Sequence, residues 1–335
     1  MTITPRIPRL SIIIPTLNRA ELVRRALDSA LAQTCRDIEI LVSNNGSRDH
    51  TRQVLEGYSD PRLRVFQRED TIPACVHGNF LVEEARGEFL LGLSDDDFLE
   101  PDFAERVMAL FDRHPGLAFV YACCWRHYGD VRVPTPTGPE IESGPDFIAG
   151  FLAGERDVCW CSCVTRTSDL RGIGPIPEGT LFGDLFYWGK LAFQGAVGCV
   201  TDPVSHYTFM GDNLSSGVPV PLWSAESRKV VGEMLASWRA AQPHEAGALR
   251  HVEHSAARFL SRTTANQFVW CALRGRTRGE LWRDLREVWR HLEGAPSVWP
   301  RVAAALLLPR KLLKRTVLQA ARSQRRKYEA RLRSG

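Results

Sequence analysis

The sequence predicts an α/β fold, a mostly parallel sheet flanked by helices with a helical extension after it, on three observations. Short apolar runs alternate with helical periods from Leu10 onward. Two polar turns, Ser43-Asn44-Asn45-Gly46-Ser47-Arg48-Asp49 and Ser94-Asp95-Asp96-Asp97, each directly follow such a run. After Gly217 the apolar residues recur at helical spacing, as in Val230, Val231, Met234, Leu235 and Trp238, and again in Leu281, Leu285, Val288, Trp289 and Leu292. A first domain is therefore expected over 1–218, with halves at about 1–101 and 102–218, and a helical extension over 219–335.

Leu10 to Ile14 reads as the first strand, stopped by Pro15. Leu22, Val23, Ala26, Leu27, Ala30 and Leu31 form one apolar helical face within Ala20 to Ala32. Ile38 to Val42 is the second strand. Ser47 or Asp49 is placed to cap the next helix, Thr51 to Tyr58. Leu63 to Phe66 gives a third strand, Asn79 to Ala85 a helix ending at Gly87, and Phe89 to Leu93 a fourth strand leading into the aspartates. Pro101 opens a helix through Phe111, with Asp102 near its N-terminus. Leu117 to Cys124 is strand-like, and Pro134, Pro136, Pro139 and Gly144 mark an irregular connection. Val158 to Thr165 returns to strand, with Cys159, Cys161 and Cys163 alternating along one face. A helix follows from Asp184 to Phe193.

With 335 residues and 44% hydrophobic content, the chain can bury one substantial core and a smaller second one. The net charge of +4 is uneven, because Arg310 to Gly335 carries ten basic residues against one acid, leaving −5 for the remainder. The body is therefore no nucleic-acid binder by charge. Pro5 and Pro8 lead straight into a strand without a leader pattern, and the apolar run from Val302 to Leu308 is far short of the ~20 residues of a spanning helix. The cysteines lack the paired spacing of a zinc knuckle, so a reduced cytosolic chain is expected.

Ligands of open α/β sheets gather beyond the carboxyl ends of the strands. There, Asn44 can pair with a nucleobase edge and Asp49 can accept from a ribose hydroxyl, while Gly46 permits close approach; an Asx turn with a helix cap is the alternative. Three adjacent aspartates repel and raise one another's pKa, a cost that a divalent cation relieves. Oxygen-only ligands favour Mg²⁺ or Mn²⁺ bridging to substrate phosphates; the alternative is a solvated acidic turn. Neither GxxxxGK[ST] nor GxGxxG follows a strand, which argues against P-loop and dinucleotide chemistry.

Ser11-Ile12-Ile13-Ile14-Pro15-Thr16-Leu17-Asn18-Arg19, then the two polar turns in this order and spacing, resemble family 2 glycosyltransferases of the GT-A fold. By that resemblance Pro15, Thr16, Asn18, Arg19, Asn44, Asn45 and Asp49 line the nucleotide of a sugar donor. Asp95 and Asp96 belong to the donor site too, and Asp95, Asp96 and Asp97 surround the metal. Asn79, in His77-Gly78-Asn79-Phe80, is similar to the family's Ala-Arg-Asn element, with Gly78 in place of the arginine. Gly183-Asp184 matches the place of the family's Glu-Asp pair, which makes Asp184 the general base of an inverting transfer with the glutamate lost; by itself Asp184 is a helix-start acid. His206-Tyr207-Thr208-Phe209 and Gly211-Asp212-Asn213-Leu214-Ser215 resemble a segment that folds over the donor diphosphate. His206 is there either a phosphate-facing donor or a structural histidine. Asn44 stands where the family often has aspartate, which leaves the nucleobase open.

The resemblance implies a metal-assisted, inverting transfer of a sugar from a nucleotide-diphosphate donor to a hydroxyl of a glycan or lipid-linked acceptor. Bacterial surface-polysaccharide assembly at the inner face of the cytoplasmic membrane is the implied setting. A nucleotidyltransferase and a non-catalytic sugar-nucleotide or glycan-binding module are the alternatives. Trp160 and Trp188 flank the expected acceptor side, as sugar-stacking faces or as core. From Pro309, Leu312, Leu313, Val317, Ala320 and Ala321 form one stripe among Arg310, Lys311, Lys314, Arg315 and Arg322. This tail, 309–335, reads equally as a peripheral helix on an anionic membrane or as a helix docked on the body.

Overall fold

The computed structural model describes residues 7–208, 217–241, 246–292 and 295–334. These described residues fall into two compact units that are not contiguous in sequence: those up to 125, with 135–144 and 157–208, in one, and 126–134, 145–156 and those from 217 onward in the other.

The first unit is built on β1 (Leu10–Thr16), β2 (Ile38–Asn45), β3 (Leu63–Arg68) and β4 (Phe89–Gly92), all parallel in the order β3-β2-β1-β4. Ile12 sits opposite Ile40 on one side and Leu91 on the other. Strands so enclosed need apolar residues on both faces, which is why their sequences are continuous runs and not alternations. Pro15 does not stop β1; the strand runs on to Thr16, and β2 likewise runs on to Asn45. The two polar turns thus emerge from strand ends instead of loose loops.

Helices α1 (Ala20–Leu31), α2 (Thr51–Glu56), α3 (Ala74–Glu84) and, after the short β5 (Phe98–Leu99), α4 (Phe103–Arg113) cover the sheet. Val23, Leu27, Phe103, Val107 and Leu110 pack with Ile12, Ile14, Val42 and Leu91 into one core. Each such side chain contributes about 1.5–3 kcal/mol on full burial.

Beyond β4 the pairing changes. After β6 (Phe119–Tyr128), β7 (Val131–Pro134), β8 (Ile141–Glu142) and α5 (Gly144–Ala153), β9 (Cys163–Arg166) lies antiparallel between β4 and β6. Helices α6 (Thr167–Ile173) and α7 (Gly183–Leu191) follow, and β10 (Val197–Thr208) completes the path β4-β9-β6-β10-β5. The sheet is therefore parallel from β3 to β4 and antiparallel where β9 meets β4 and β6 and where β10 meets β5.

Cys159 and Cys161 are not on a strand. Cys161 lies in a 3-10 turn, Trp160–Ser162, closed by Ser162, whose hydroxyl takes the Cys159 N–H at 3.1 Å; Cys163 begins β9. Among the described residues no disulfide joins any of the nine cysteines. β10 is hidden in sequence because the exposed Thr201 and Asp202, with Pro203, interrupt its apolar pattern. α5 starts at Gly144-Pro145-Asp146, so a proline and an acid in its first turn mark a helix start within the stretch read as irregular.

The second unit holds α8 (Val220–Ala241), α9 (Ala246–Leu273), α10 (Arg278–Val288), α11 (Trp299–Leu307) and α12 (Arg310–Ser334). Val220, Phe268, Leu281, Leu285, Val302 and Leu306 share its core. Thr277 opens α10 with a reciprocal cap: its Oγ1 accepts the Glu280 N–H at 3.3 Å, and Glu280 Oε2 accepts the Thr277 N–H at 2.8 Å, an arrangement worth about 1 kcal/mol. Pro309 separates α11 from α12. In α12, Leu313 and Ala321 are buried, whereas Leu312 is 45% exposed, so the stripe read from the sequence splits between packing and solvent. No helix among the described residues is long and apolar enough to cross a membrane.

Candidate active site

Because β1, β2 and β4 are parallel, the turns that follow them share one sheet edge, and side chains stitch them together. Thr16 Oγ1 donates to Asp95 Oδ2 at 2.8 Å. Arg19 NH1 reaches Asp95 Oδ1 at 2.9 Å and Asp96 Oδ2 at 3.1 Å. Asn18 has φ of +54°, the left-handed conformation that asparagine tolerates. Its N–H donates to Ser47 Oγ at 2.7 Å, and its Oδ1 accepts the Arg48 N–H at 2.7 Å. Pro15, half-buried and paired in register with Ser43, fixes the exit of β1.

The acidic turn is almost wholly buried. Burial pushes the Asp95 carboxyl above its usual range, against the opposing pull of Arg19 and Thr16. Burial and then Asp96 push Asp97 well above it. Asp97 turns inward, where its Oδ1 accepts the Thr208 N–H at 2.8 Å and its Oδ2 has no hydrogen bond among the described residues.

The expected three-carboxylate ligand set does not converge. Asp95 and Asp96 face Arg19 while Asp97 faces the interior, and among the described residues no three His, Cys, Asp or Glu side chains group around one point. A Mg²⁺-like ion takes only one or two protein carboxylates, with phosphates and waters as its other ligands. Asp95 Oδ1 and Asp96 Oδ2 already present oxygens to a single cationic nitrogen, so these two fit such an ion.

The amides of the neighbouring turns are committed to the chain itself. Asn44 donates to Gln67 Oε1 at 2.9 Å and accepts the Ser47 N–H at 3.1 Å. Asn45 clamps the backbone of Ile72, donating to its carbonyl at 2.8 Å and accepting its N–H at 3.0 Å. Asp49 accepts the Thr51 N–H at 3.0 Å and the Ala20 N–H at 3.3 Å, bracing the starts of α2 and α1. Gly46, at φ +75°, makes its close approach to its own chain: a Cβ there would lie 2.8 Å from the Asp70 carbonyl carbon. Asn79 clamps Ile176 by the same two-bond pattern, at 2.9 and 3.0 Å, and so anchors the loop that leads into α7. These bonds of Asn44, Asn45 and Asn79 build the edge with one N–H and one oxygen lone pair of each amide.

Asp184 stands in the first turn of α7, half-buried, its Oδ1 accepting the Leu185 N–H at 2.7 Å. It lies close enough to Cys163 for its charge to help raise that thiol's pKa, behind the larger effect of burial. Since Val164 pairs with Leu91 antiparallel, Cys163 lies beside the outgoing end of β4. Asp184 and the acidic turn therefore share one end of β4.

Trp188 is 2% exposed and belongs to the core, not to a sugar-stacking face. Trp160 is half-buried, its indole lying where a Gly92 side chain would otherwise project. His206 is buried too: its ring stacks on Phe98 at 4.0 Å and its Nε2 meets Glu100 Oε1 at 2.8 Å. One ring face and that nitrogen serve the β5–β10 contact, in keeping with the structural role of the two expected. The segment Phe209 and 211–215 lies outside the described residues.

Arg25 was not legible as a site residue. On α1, it reads as one of several arginines on a polar face, yet its NH2 donates to the Asp96 carbonyl and to Thr208 Oγ1 at 3.0 Å, and its guanidinium lies 4.7 Å from the Phe98 ring centroid. It ties the acidic turn to the end of β10.

His77 gives this edge a pH dependence. It is buried, with Nε2 2.8 Å from Ser43 Oγ; burial, then Arg68, lowers its pKa to about 4. Between pH 4 and an unfolded value near 6.5, the unfolded chain binds the extra proton. Stability should therefore fall as pH drops through that window, by up to roughly 3 kcal/mol. Denaturant melts at pH 7 and 4.5 should show this loss shrinking in His77→Gln; an equal loss in both proteins would rule out His77 as its source.

Residues 11–167 match the family model described as glycosyl transferase family 2. Chondroitin synthase of Pasteurella multocida is 38% identical over 118 residues, 35% of this chain and 12% of that protein. Hyaluronan synthase of Pasteurella multocida is 37% identical over a segment of the same size. The chain thus spans about an eighth of the length of these relatives. Among solved structures, S. aureus TarS 1–349 in complex with UDP-GlcNAc superposes with a TM-score of 0.66 at 20% identity, covering 94% of this chain and 88% of that one. Mannosyltransferase PcManGT from Pyrobaculum calidifontis, in complex with GDP-Man and Mn²⁺, gives 0.54 at 17% identity, covering 90% and 86%. These likenesses show a GT-A-like fold. Residues 11–167, just under half of the chain, carry this likeness to glycosyl transferase family 2.

Proposed function

We propose that the first unit transfers a sugar from a nucleotide-diphosphate donor to an acceptor hydroxyl with inversion. The observation that carries this reading is the stitching of Thr16, Arg19, Asp95 and Asp96 at the common edge of β1 and β4. Structural neighbours crystallised with UDP-GlcNAc and with GDP-Man and Mn²⁺ share this fold. Asp95 and Asp96 would hold a divalent cation, which would supply charge neutralisation for a departing diphosphate. Arg19, drawn from between the two carboxylates, donates to phosphate oxygens from the same edge. Asp184 accepts the proton of the acceptor hydroxyl as that oxygen attacks the anomeric carbon from the face opposite the diphosphate. Asn44, held by Gln67 and Ser47, lies at the nucleotide side of this edge and its amide both donates and accepts, which leaves the nucleobase open.

The catalytic domain is assigned to about 1–218 and the helical extension to 219–335. A glycan or lipid-linked acceptor, presented at the inner face of the cytoplasmic membrane to a peripheral enzyme, is supported by the polysaccharide-synthase relatives and the basic, partly apolar surface of α12. Incubated with Mn²⁺ and a panel of sugar nucleotides, the purified protein should release nucleoside diphosphate slowly from one of them by hydrolysis. No release from any donor, with or without candidate acceptors, would overturn the enzymatic reading.

A further inference from the structure

The second unit contains a charged cleft that sugar transfer does not use. Past Trp125, the end of β6 turns at Gly129, φ +62°, and returns as β7, against which α12 packs. Hairpin and helix enclose a cleft of about 490 Å³. Arg132 and His127 enter it from the hairpin, and Arg322, Arg325 and Arg326 enter it from α12.

The three helix arginines fall at i, i+3 and i+4, one face of α12, where like charges repel. Arg325 is braced within the unit: its Nε donates to Glu329 Oε1 at 2.6 Å and its NH1 to the Arg132 carbonyl at 3.2 Å. Arg322 and Arg326 are exposed and make no ion pair among the described residues. The lining thus sets four guanidinium groups against the carboxylates of Asp130 and Glu329. Guanidinium forks match carboxylate and phosphate oxygens two at a time. A single carboxylate satisfies one fork. Forks converging from two elements suit a group with several charged oxygens, and the volume lies in the range of small-molecule sites.

We propose that this cleft binds a multiply charged phosphate group, a diphosphate or a phosphomonoester, carried by a soluble molecule or by a lipid headgroup. The site is separate from the donor edge and does not depend on the reading given to that edge.

The test is a calorimetric titration of the full chain with inorganic diphosphate, in EDTA so that no cation-dependent donor site contributes. Saturable binding is expected, weakened roughly tenfold or more in Arg322→Gln/Arg326→Gln. Both side chains are exposed, so the variant should fold, and an unchanged melting temperature verifies that. No binding by the wild type, or equal binding by the folded variant, overturns the proposal. Vesicle flotation then separates the sources. Loss, in the variant, of binding to vesicles containing phosphatidic acid, whose headgroup is a phosphomonoester, assigns the phosphate to a lipid headgroup; diphosphate binding that is lost while flotation is unchanged assigns it to a soluble ligand.

Discussion

Replacing Asp184 by asparagine is expected to lower sugar transfer by about 10²–10⁴-fold, the usual contribution of a positioned general base, while leaving donor affinity unchanged. The amide keeps an oxygen to accept the Leu185 N–H, so the start of α7 is preserved while the proton acceptor is lost. A purely structural Asp184 would give the opposite pattern, near-normal transfer from a slightly less stable protein. Initial rates with a soluble acceptor, measured beside donor-binding titrations, separate the two. Wild-type transfer rates in Asp184→Asn would remove this residue as the base.

The second large effect is expected from Asp95→Asn/Asp96→Asn, which should weaken Mn²⁺-dependent donor binding by about 10²-fold or more. Each asparagine keeps one oxygen to accept from Arg19, and the amide at 95 can donate to Thr16 Oγ1 in place of accepting from it, so the stitched turns should persist without the charge that a cation requires. The fold itself should not suffer, because the Asp95 carboxylate is held in a site whose burial already disfavours its charge. Melting temperatures without metal should therefore equal or exceed those of the wild type. Wild-type donor affinity in Mn²⁺ for the double variant would place the cation elsewhere.

How far the chemistry was legible in the sequence depended on how local it was. Ile12, Ile40 and Leu91 declare the parallel strands because buried strands must be apolar on both faces, and the turns after them follow by topology. β10 was hidden because Thr201-Asp202-Pro203 breaks its pattern while pairing with β5 and β8 sustains it across the break. The composition of the acidic turn predicted a cation site, but the direction of each carboxylate could not be read from it. Only the fold brings Arg19 between Asp95 and Asp96 and turns Asp97 toward the Thr208 N–H. Likewise Asn44, Asn45 and Asn79 are amides in the right turns, yet their partners Gln67, Ile72 and Ile176 lie 23, 27 and 97 residues away in the chain. Arg25 carried no signal, since its partner Thr208 is 183 residues distant.

The most direct test of the central claim, that the shared edge of β1, β2 and β4 is a nucleotide-sugar site, is a calorimetric titration of the full chain with a sugar-nucleotide panel including UDP-GlcNAc and GDP-Man, with and without Mn²⁺. Saturable binding of at least one donor that requires Mn²⁺ and is lost in Asp95→Asn/Asp96→Asn is the predicted result. Binding of no donor, or binding indifferent to that double substitution, would contradict it.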